Sequence, residues 1–387
     1  FPSFSFGWRI SEENFFKVDF VDNLKLRASW GQLGNQEIDD YLFYDTYSFG
    51  YDYSFGNTLF SGISINDVMA NSAITWEKTD QIDVGIDADF WGGKLSFTGD
   101  FFLKNTHAIL LKLPMPDLIG VDAPMQNAGK VRNTGFELAL LNLFKYSASF
   151  NFSYVKNEIT DLNGGDIPGR SVGDPVDNIY GYVCEGIFRT QEEIDNSCSQ
   201  IWGAVPGDLK YADINNDNVV DQSDRISLGS TFPKINFGLR LNCEYRNFDL
   251  TMLMQGAGMV KGVTAGEISQ AFMNGGKVTE EWLDRWTPNN INASYPRLTL
   301  SSSSRNYMTS SFWVQNASYL KMRNLQIGYT IPKHLLTNWG ISNLRLYCSI
   351  DNLFTITNFK GLDPEMVTSS TLYPLTRNYS FGVNLSF

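Results

Sequence analysis

Twelve consecutive residues, Asp213-Ile214-Asn215-Asn216-Asp217-Asn218-Val219-Val220-Asp221-Gln222-Ser223-Asp224, carry the sharpest chemical signal in the chain. Side-chain oxygens at positions 1, 3, 5, 9 and 12 of the run (Asp213, Asn215, Asp217, Asp221 and Asp224), with the Val219 carbonyl at position 7, fit a calcium loop of the EF-hand type. Ca²⁺ is a hard cation, and four carboxylates, one amide and one carbonyl meet its need for oxygen. Two positions depart from that pattern. Asn218 stands where glycine is usual, although Asn tolerates the left-handed backbone required there. Asp224 replaces the longer, bidentate Glu, which weakens the site. No amphipathic helices flank the loop, so the expected metal is a structural clip and not a sensor. The plainer alternative is a solvated, Asx-rich turn.

Other chemical patterns are weaker. Gly169-Arg170-Ser171-Val172-Gly173 spells a nucleophile elbow by letters. That motif needs a hydrophobic strand before it and a helix after it, and Asn163-Gly164-Gly165-Asp166-Ile167-Pro168 and Asp174-Pro175 supply neither. The chain has two histidines, His107 and His334, and neither is near the serine in sequence. No catalytic constellation emerges, and the chain is not expected to be an enzyme. Nine aromatic residues crowd one segment: Tyr41, Phe43, Tyr44, Tyr47, Phe49, Tyr51, Tyr53, Phe55 and Phe60. Exposed rings stack on sugars or grip peptide side chains, and they also pack loops against each other or against a partner protein. Tyr44, Tyr47, Tyr51 and Tyr53 are the substrate-contact candidates.

The elements that must position these residues are strands. In the last segment Tyr379, Phe381, Val383, Leu385 and Phe387 share one parity, while Ser380, Gly382, Asn384 and Ser386 share the other. An extended chain sends successive side chains to opposite faces, so the segment has one apolar and one wet face. The same alternation recurs about eleven times, for example through Leu24, Leu26, Ala28 and Trp30, or Ile235, Phe237, Leu239 and Leu241. The opposite faces carry Arg27, Asp83, Asp87, Asp100, Glu137, Arg240 and Asp351, which must see water. Around residues 319–329 the apolar parity switches across Arg323-Asn324, predicting a β-bulge.

Connections separate a barrel from a soluble sandwich. Gly92-Gly93, Phe144-Lys145 and Arg246-Asn247 are near-minimal turns, whereas long segments span about 34–75, 105–131, 158–234, 257–318 and 354–377. Short turns at one end and long loops at the other are the habit of outer-membrane barrels, and compact soluble domains rarely carry several such loops. The expected fold is therefore all-β: a transmembrane antiparallel barrel with its charged face toward the lumen and its apolar face toward outer-membrane lipid. Aromatic residues at 14% suit interfacial girdles, and no apolar run reaches the ~18–20 residues of a membrane helix. A net charge of −12 argues against nucleic acid as a partner. Four cysteines are too few for a disulfide scaffold. Cys184 and Cys198 share the longest loop and are a candidate disulfide in an oxidising exterior, while Cys243 and Cys348 fall on the apolar parity. Phe1-Pro2-Ser3-Phe4 has no initiator Met and opens directly into a strand pattern, as a fragment or a processed piece would.

Several blocks resemble one family. Leu26-Arg27-Ala28-Ser29-Trp30-Gly31-Gln32-Leu33-Gly34-Asn35 is similar to the "LRASYGxxGN" segment of SusC/RagA-type TonB-dependent transporters of Bacteroidetes. Trp76-Glu77-Lys78-Thr79, the run from Asn127 to Glu137, Ser318-Tyr319-Leu320-Lys321-Met322-Arg323-Asn324 and Gly328-Tyr329-Thr330-Ile331-Pro332 resemble further family blocks. So do Asp351-Asn352-Leu353-Phe354-Thr355 and Gly361-Leu362-Asp363-Pro364-Glu365. The resemblance implies a 22-stranded barrel around an N-terminal plug, of which residues 1–387 would be the C-terminal half, without the plug and the first barrel half. It implies import of an oligosaccharide or oligopeptide across the bacterial outer membrane, energised by TonB–ExbB–ExbD and capped by a SusD-like lipoprotein. Phe387 resembles the terminal aromatic of the barrel-assembly signal. The competing expectations are a siderophore or cobalamin receptor of the same architecture, and a soluble, calcium-stapled, β-rich glycan-binding surface protein.

Overall fold

Ten of the eleven wall strands run 9 to 19 residues, reaching the ~9–11 that a tilted strand needs to cross a bilayer, and the first runs 7. A computed structural model describes residues 1–387 except 38–39, 51, 66–67, 116–120, 144–145, 166, 168, 265, 301–303, 337–339, 368–372 and 374. Its wall is eleven strands: β1 (Ser3–Arg9), β2 (Val21–Asn35), β3 (Glu77–Phe90), β4 (Leu95–Lys112), β5 (Met125–Leu143), β6 (Tyr146–Asp161), β7 (Ile235–Tyr245), β8 (Phe248–Gly258), β9 (Tyr319–Thr330), β10 (Asn343–Thr357) and β11 (Asn378–Ser386). Every pairing is antiparallel and joins sequence neighbours, so the sheet is an uninterrupted meander.

The sheet is a single layer. The remaining described sheets are two-stranded, and each pairs strands lying within the long connections. Phe4, Phe6, Val84, Phe101, Phe136, Ile327 and Phe381 consequently stand exposed along one face. Registry stacks these residues into ladders: Val84 faces Phe101, Phe101 faces Phe136, and Phe136 faces Tyr154. The Phe136 ring lies 5.8 Å from Phe152 and 5.7 Å from Tyr154. A soluble sandwich would bury this face under a second sheet. Here it is left bare, at a size that only lipid tolerates.

Turn chemistry orders one end of the wall. Gly92 and Gly93 take φ of 70° and 72° at the β3–β4 tip, and their N–H groups donate to Asp22 Oδ2 at 2.6 and 3.0 Å. Tyr245 and Phe248 pair across the two-residue link Arg246-Asn247. The expected Phe144-Lys145 turn lies outside the described residues. Rings gather at this end, with Phe20 6.3 Å from both Phe90 and Trp91, and Phe248 4.7 Å from Tyr329, as an interfacial girdle requires. The five long connections, 36–76, 113–124, 162–234, 259–318 and 358–377, all leave from the opposite rim. β1 and β11 each pair with one wall strand, so the eleven-stranded sheet remains open.

The bulge falls where the parity switch places it. On the β8 side the registry steps from Leu253–Asn324 to Met254–Met322, leaving Arg323 as the extra residue, while on the β10 side it steps from Met322–Phe354 to Asn324–Asp351, so that Asn352 and Leu353 oppose Arg323. One boundary differs. The connection expected over 105–131 contracts to 113–124, because β4 and β5 continue pairing through Asn105 with Arg132, Ile109 with Gly129, and Lys112 with Met125. Polar contacts replace apolar ladders there: the Thr79 and Thr106 hydroxyls meet at 2.9 Å, and Arg132 Nε donates to Asn105 Oδ1 at 3.1 Å. Once the strands rise past the apolar band, backbone pairing continues but side-chain alternation no longer reports it.

The rim connections build a core of their own. Tyr182, Leu209, Tyr211 and Val220 form one buried cluster, and Ala271, Trp282 and Trp313 form another. The segment Glu280–Asp284 within it is a single 3₁₀ turn.

Candidate functional site

The face opposite the bare one is wet and charged. Arg27 donates from Nε to Asp87 Oδ2 at 2.7 Å and from Nη2 to Asp100 Oδ1 at 2.8 Å, reaching over β3 to touch β4. Gly85 makes that reach possible, since a Cβ there would sit 2.1 Å from Asp100 Oδ1 and 2.8 Å from Arg27 Nη2. The arrangement repeats at Gly328, over which Arg345 on β10 meets Asp249 on β8, with Nε to Oδ1 at 2.8 Å. Asn324 Nδ2 donates to Asp351 Oδ1 at 2.7 Å and Ser349 Oγ at 2.9 Å. Asn242 bonds Ser147 at 3.0 Å. Polar side chains thus bond one another along the inner wall, leaving a smooth hydrophilic surface suited to a water-filled path.

A second cluster pins the last rim connection to that wall. Lys321, 2% exposed, places Nζ 2.9 Å from Glu365 Oε2 and 3.3 Å from Asp363 Oδ1. Tyr319 donates its hydroxyl to Glu365 Oε1 at 2.8 Å, Arg323 also pairs with Glu365, and Arg323 Nε donates to Gln255 Oε1 at 3.1 Å. Burial pushes the Glu365 carboxyl up, but hydrogen bonds from Lys321 and Tyr319 outweigh it and hold the group below the usual glutamate range. The bulge at Arg323 turns an additional cation toward the same carboxylate. This network escaped the reading of the sequence, although its residues sit in the blocks Ser318–Asn324 and Gly361–Glu365. Alternation identifies faces but does not say which loop folds back onto one.

The acidic loop folds as a tight turn. Asn218 takes φ of 68° at the position where calcium loops have glycine. Asp221 caps a 3₁₀ turn and forms a reciprocal capping box with Asp224. Its carboxylates are engaged with backbone amides. Asp213 accepts from Asn216 and Asn218 N–H at 2.8 Å each, and the wholly buried Asp224 accepts from Ile214 and Asp221 at 2.7 Å each. Asn215 Nδ2 donates to Asp217 Oδ2 at 3.0 Å, and Val219 donates its N–H to Asp217 Oδ1. Among the described residues no three His, Cys, Asp or Glu side chains converge as a metal site. The loop as folded is closed by its own amides, so calcium there rests on ligand spacing alone.

Tyr44, Tyr47 and Tyr53 are 64%, 64% and 65% exposed on the rim, and Tyr51 lies outside the described residues. Tyr47–Phe49 pairs with Ile63–Ile65, and Tyr53–Phe55 pairs with Thr58–Phe60, so the aromatic segment is folded into short hairpins that hold rings out into solvent. Cys184 and Cys198 carry free thiols and pack against the Tyr182–Tyr211 cluster. Burial pushes the Cys184 thiol up to about 11. Gly169 and Gly173 take φ of 79° and 98° in a stretch with no helix after it, and His107 sits instead on β4 beside Asp80 at 3.1 Å. Phe387 is 86% exposed, following a strand that pairs Asn343 with Ser386 through Asp351 with Asn378.

Comparison with known proteins agrees with this geometry. The profile of a family described as "TonB dependent receptor-like, beta-barrel" matches residues 1–353. TonB-dependent receptor P3 of Formosa agariphila is 28% identical over 425 aligned positions, covering 100% of this chain and 42% of that protein. TonB-dependent receptor SusC of Bacteroides thetaiotaomicron is 28% identical, covering 100% of this chain and 40% of that one. The chain therefore spans about two-fifths of the length of these relatives. Among solved structures, the RagAB peptide transporter superposes over the whole chain and 43% of its own, with a TM-score of 0.80 at 24% identity. The RagAB peptide importer in its open-open state gives 0.78 at 25% identity, covering 100% of this chain and 42% of its own.

Proposed function

The chain belongs to the TonB dependent receptor-like β-barrel family, and we propose that it is the C-terminal half of the barrel of a transporter that brings a large nutrient across the outer membrane. The family is one of outer-membrane receptors and transporters, not enzymes. The cargo is an oligopeptide or an oligosaccharide. Similarity to a peptide importer supports the first class, and the resemblance of the sequence blocks to SusC/RagA-type transporters implies both. The observation that carries the reading is the two-faced single-layer wall, bare and apolar outside, cross-bonded and charged inside, with every long connection on one rim.

In this mechanism the rim and a plug supplied by the rest of the protein bind cargo beneath a SusD-like lipoprotein. The TonB–ExbB–ExbD system supplies the pull that displaces the plug. The wall's part is passive and specific. Pairs such as Arg27 with Asp87 and Asp100 keep charges satisfied and the path hydrated, while the Lys321 network holds the 358–377 connection at the mouth. The remaining barrel strands would pair with β1 and β11, whose free edges are intolerable in hydrocarbon. The acidic loop, if it takes up calcium, is a clip with no role in transport.

Uptake tests the reading. Cells expressing the full-length protein, with tonB or the lipoprotein gene deleted in turn, are given labelled oligopeptides and oligosaccharides. Import of one class that disappears in both deletions is expected. Import that persists without TonB refutes the proposal, and import that needs TonB but not the lipoprotein favours a lidless receptor.

A further inference from the structure

A cavity of about 270 Å³ opens among Trp202, Asp208, Arg297, Thr299, Ser304 and Arg305, where the 162–234 and 259–318 connections meet. Its charges do not balance. Asp208, 2% exposed, accepts from Arg297 Nε at 2.6 Å and Asn306 Nδ2 at 2.9 Å, while Val205 N–H donates to its other oxygen at 3.1 Å. One carboxylate is thereby matched by one guanidinium. Arg305 is the surplus cation, 5% exposed beneath the cavity. Its Nη2 donates to the neutral Gln200 Oε1 at 2.6 Å, while Nε and Nη1 are buried without a hydrogen-bond partner among the described residues. The Tyr211 ring, 5.3 Å from the guanidinium carbon, offers only its π face. Buried charges are ordinarily paired, and a cation left without a counter-ion strongly favours whatever anion reaches it.

The mouth is built for a ligand larger than a bare ion. Trp202 is 72% exposed and holds φ of 59°, a left-handed conformation that a bulky residue rarely adopts. The Arg297 side chain is 36% exposed at the wall, with a planar fork that suits a carboxylate. Two guanidinium groups against one carboxylate leave a single surplus positive charge, which matches a carboxylate better than a doubly charged phosphate.

We propose that this cavity binds a carboxylate of the incoming oligomer, with Arg297 in direct contact, Arg305 as the buried counter-charge, and Trp202 stacking on the adjoining unit. The cargo identity rests on the import reading above, but the site itself does not. A carboxylate has two sources in such cargo, an acidic or C-terminal residue of a peptide and a uronic acid of a glycan.

Ligand-observed NMR on the full-length protein in detergent tests the site with two matched pairs: N-acetyl-Gly-Gly against its C-terminal amide, and glucuronate against glucose. The expected result is saturable binding of at least one acid, ten times or more tighter than its neutral analogue, with the stronger acid identifying the source. Arg297→Gln and Trp202→Ala, both at the accessible mouth, should each weaken that acid at least tenfold. Arg305→Met should abolish the preference for acid over neutral analogue. Acids and neutral analogues binding alike, no saturable binding of either acid, or variants that bind as the wild type does would each overturn the proposal, leaving a buried water on Arg305 as its only ligand. Uptake keeps the two readings apart: acid binding without TonB-dependent import refutes only the transport reading, and import with no acid preference in binding refutes only the site.

Discussion

Replacing Lys321 by Met should undock the 358–377 connection from the wall without unfolding the wall. Lys321 is 2% exposed, and its Nζ serves two carboxylates, at 2.9 Å to Glu365 and 3.3 Å to Asp363. Removing one member of a buried ion pair costs about 3–5 kcal/mol, because the other charge is left stranded. Glu365 keeps Arg323 and the Tyr319 hydroxyl, so the loss falls mainly on Asp363, and about 3 kcal/mol is the apt figure. At 1.4 kcal/mol per factor of ten, the undocked population should rise roughly a hundredfold. Hydrogen exchange reads this directly. The Glu365 amide donates to Asp363 Oδ1 at 2.9 Å and the Met366 amide to the Asp363 carbonyl at 3.1 Å, and both should lose about two orders of magnitude of protection. Wall amides around Leu325 should not change. Adding Asp363→Asn should recover part of the loss by removing the stranded charge. The pH dependence has a fixed sign. Glu365 is held below its ordinary value in the folded state, so its contribution is complete above the unfolded glutamate pKa of about 4.3 and is lost as pH falls through the depressed folded value. Unchanged protection in Lys321→Met, or equal loss along β9, would refute this account.

Further outcomes can be checked on the full-length protein. Leu239→Arg puts a charge on the lipid face at a cost of about 2–4 kcal/mol and should lower the heat-modifiable folded fraction, whereas Arg240→Leu on the lumen face should not. Leu239→Arg folding as wild type would reverse the assignment of faces. Gly85→Ala forces a Cβ to within 2.1 Å of Asp100 Oδ1, so it should break the Arg27 bridge and lower the unfolding temperature; an unaltered melt would mean the bridge relaxes freely. If the 213–224 loop takes up calcium, EGTA should increase proteolysis within it and Asp213→Ala should mimic EGTA, while cleavage insensitive to the chelator would leave an amide-closed turn. Deleting Phe387 should reduce surface assembly far more than synthesis, and normal surface levels would leave that residue without a signalling role.

The wall could be read from the chain because its cause is local. Each strand's faces follow from parity alone, and the Arg323 bulge follows from a parity switch within a few residues. What parity does not encode stayed hidden. β4 and β5 extend into Asn105–Lys112 and Met125–Arg132, where the register shifts between Thr106 and Ile109 and again before Leu110, so strict alternation is lost. The Asp208–Arg297 contact joins residues 89 positions apart, and Lys321 meets Asp363 across 42, with nothing in either segment to announce the other. The acidic spacing foresaw the left-handed Asn218, a backbone property, but not the capping box that Asp221 forms with Asp224. The Gly85 and Gly328 gaps are invisible until registry places an arginine and an aspartate on either side of them.

The unbroken order of the meander makes circumference a countable quantity. Each strand touches only its sequence neighbours, so a hairpin with its short turn is a unit that can be excised or duplicated without disturbing the register of any other pair. With strands about 4.8 Å apart, one hairpin changes the girth of the wall by roughly 10 Å. Pore calibre in such an architecture is therefore set by how many hairpins a gene encodes, in even steps, and a lineage could widen its channel by tandem duplication while the rim above it diverged on its own schedule.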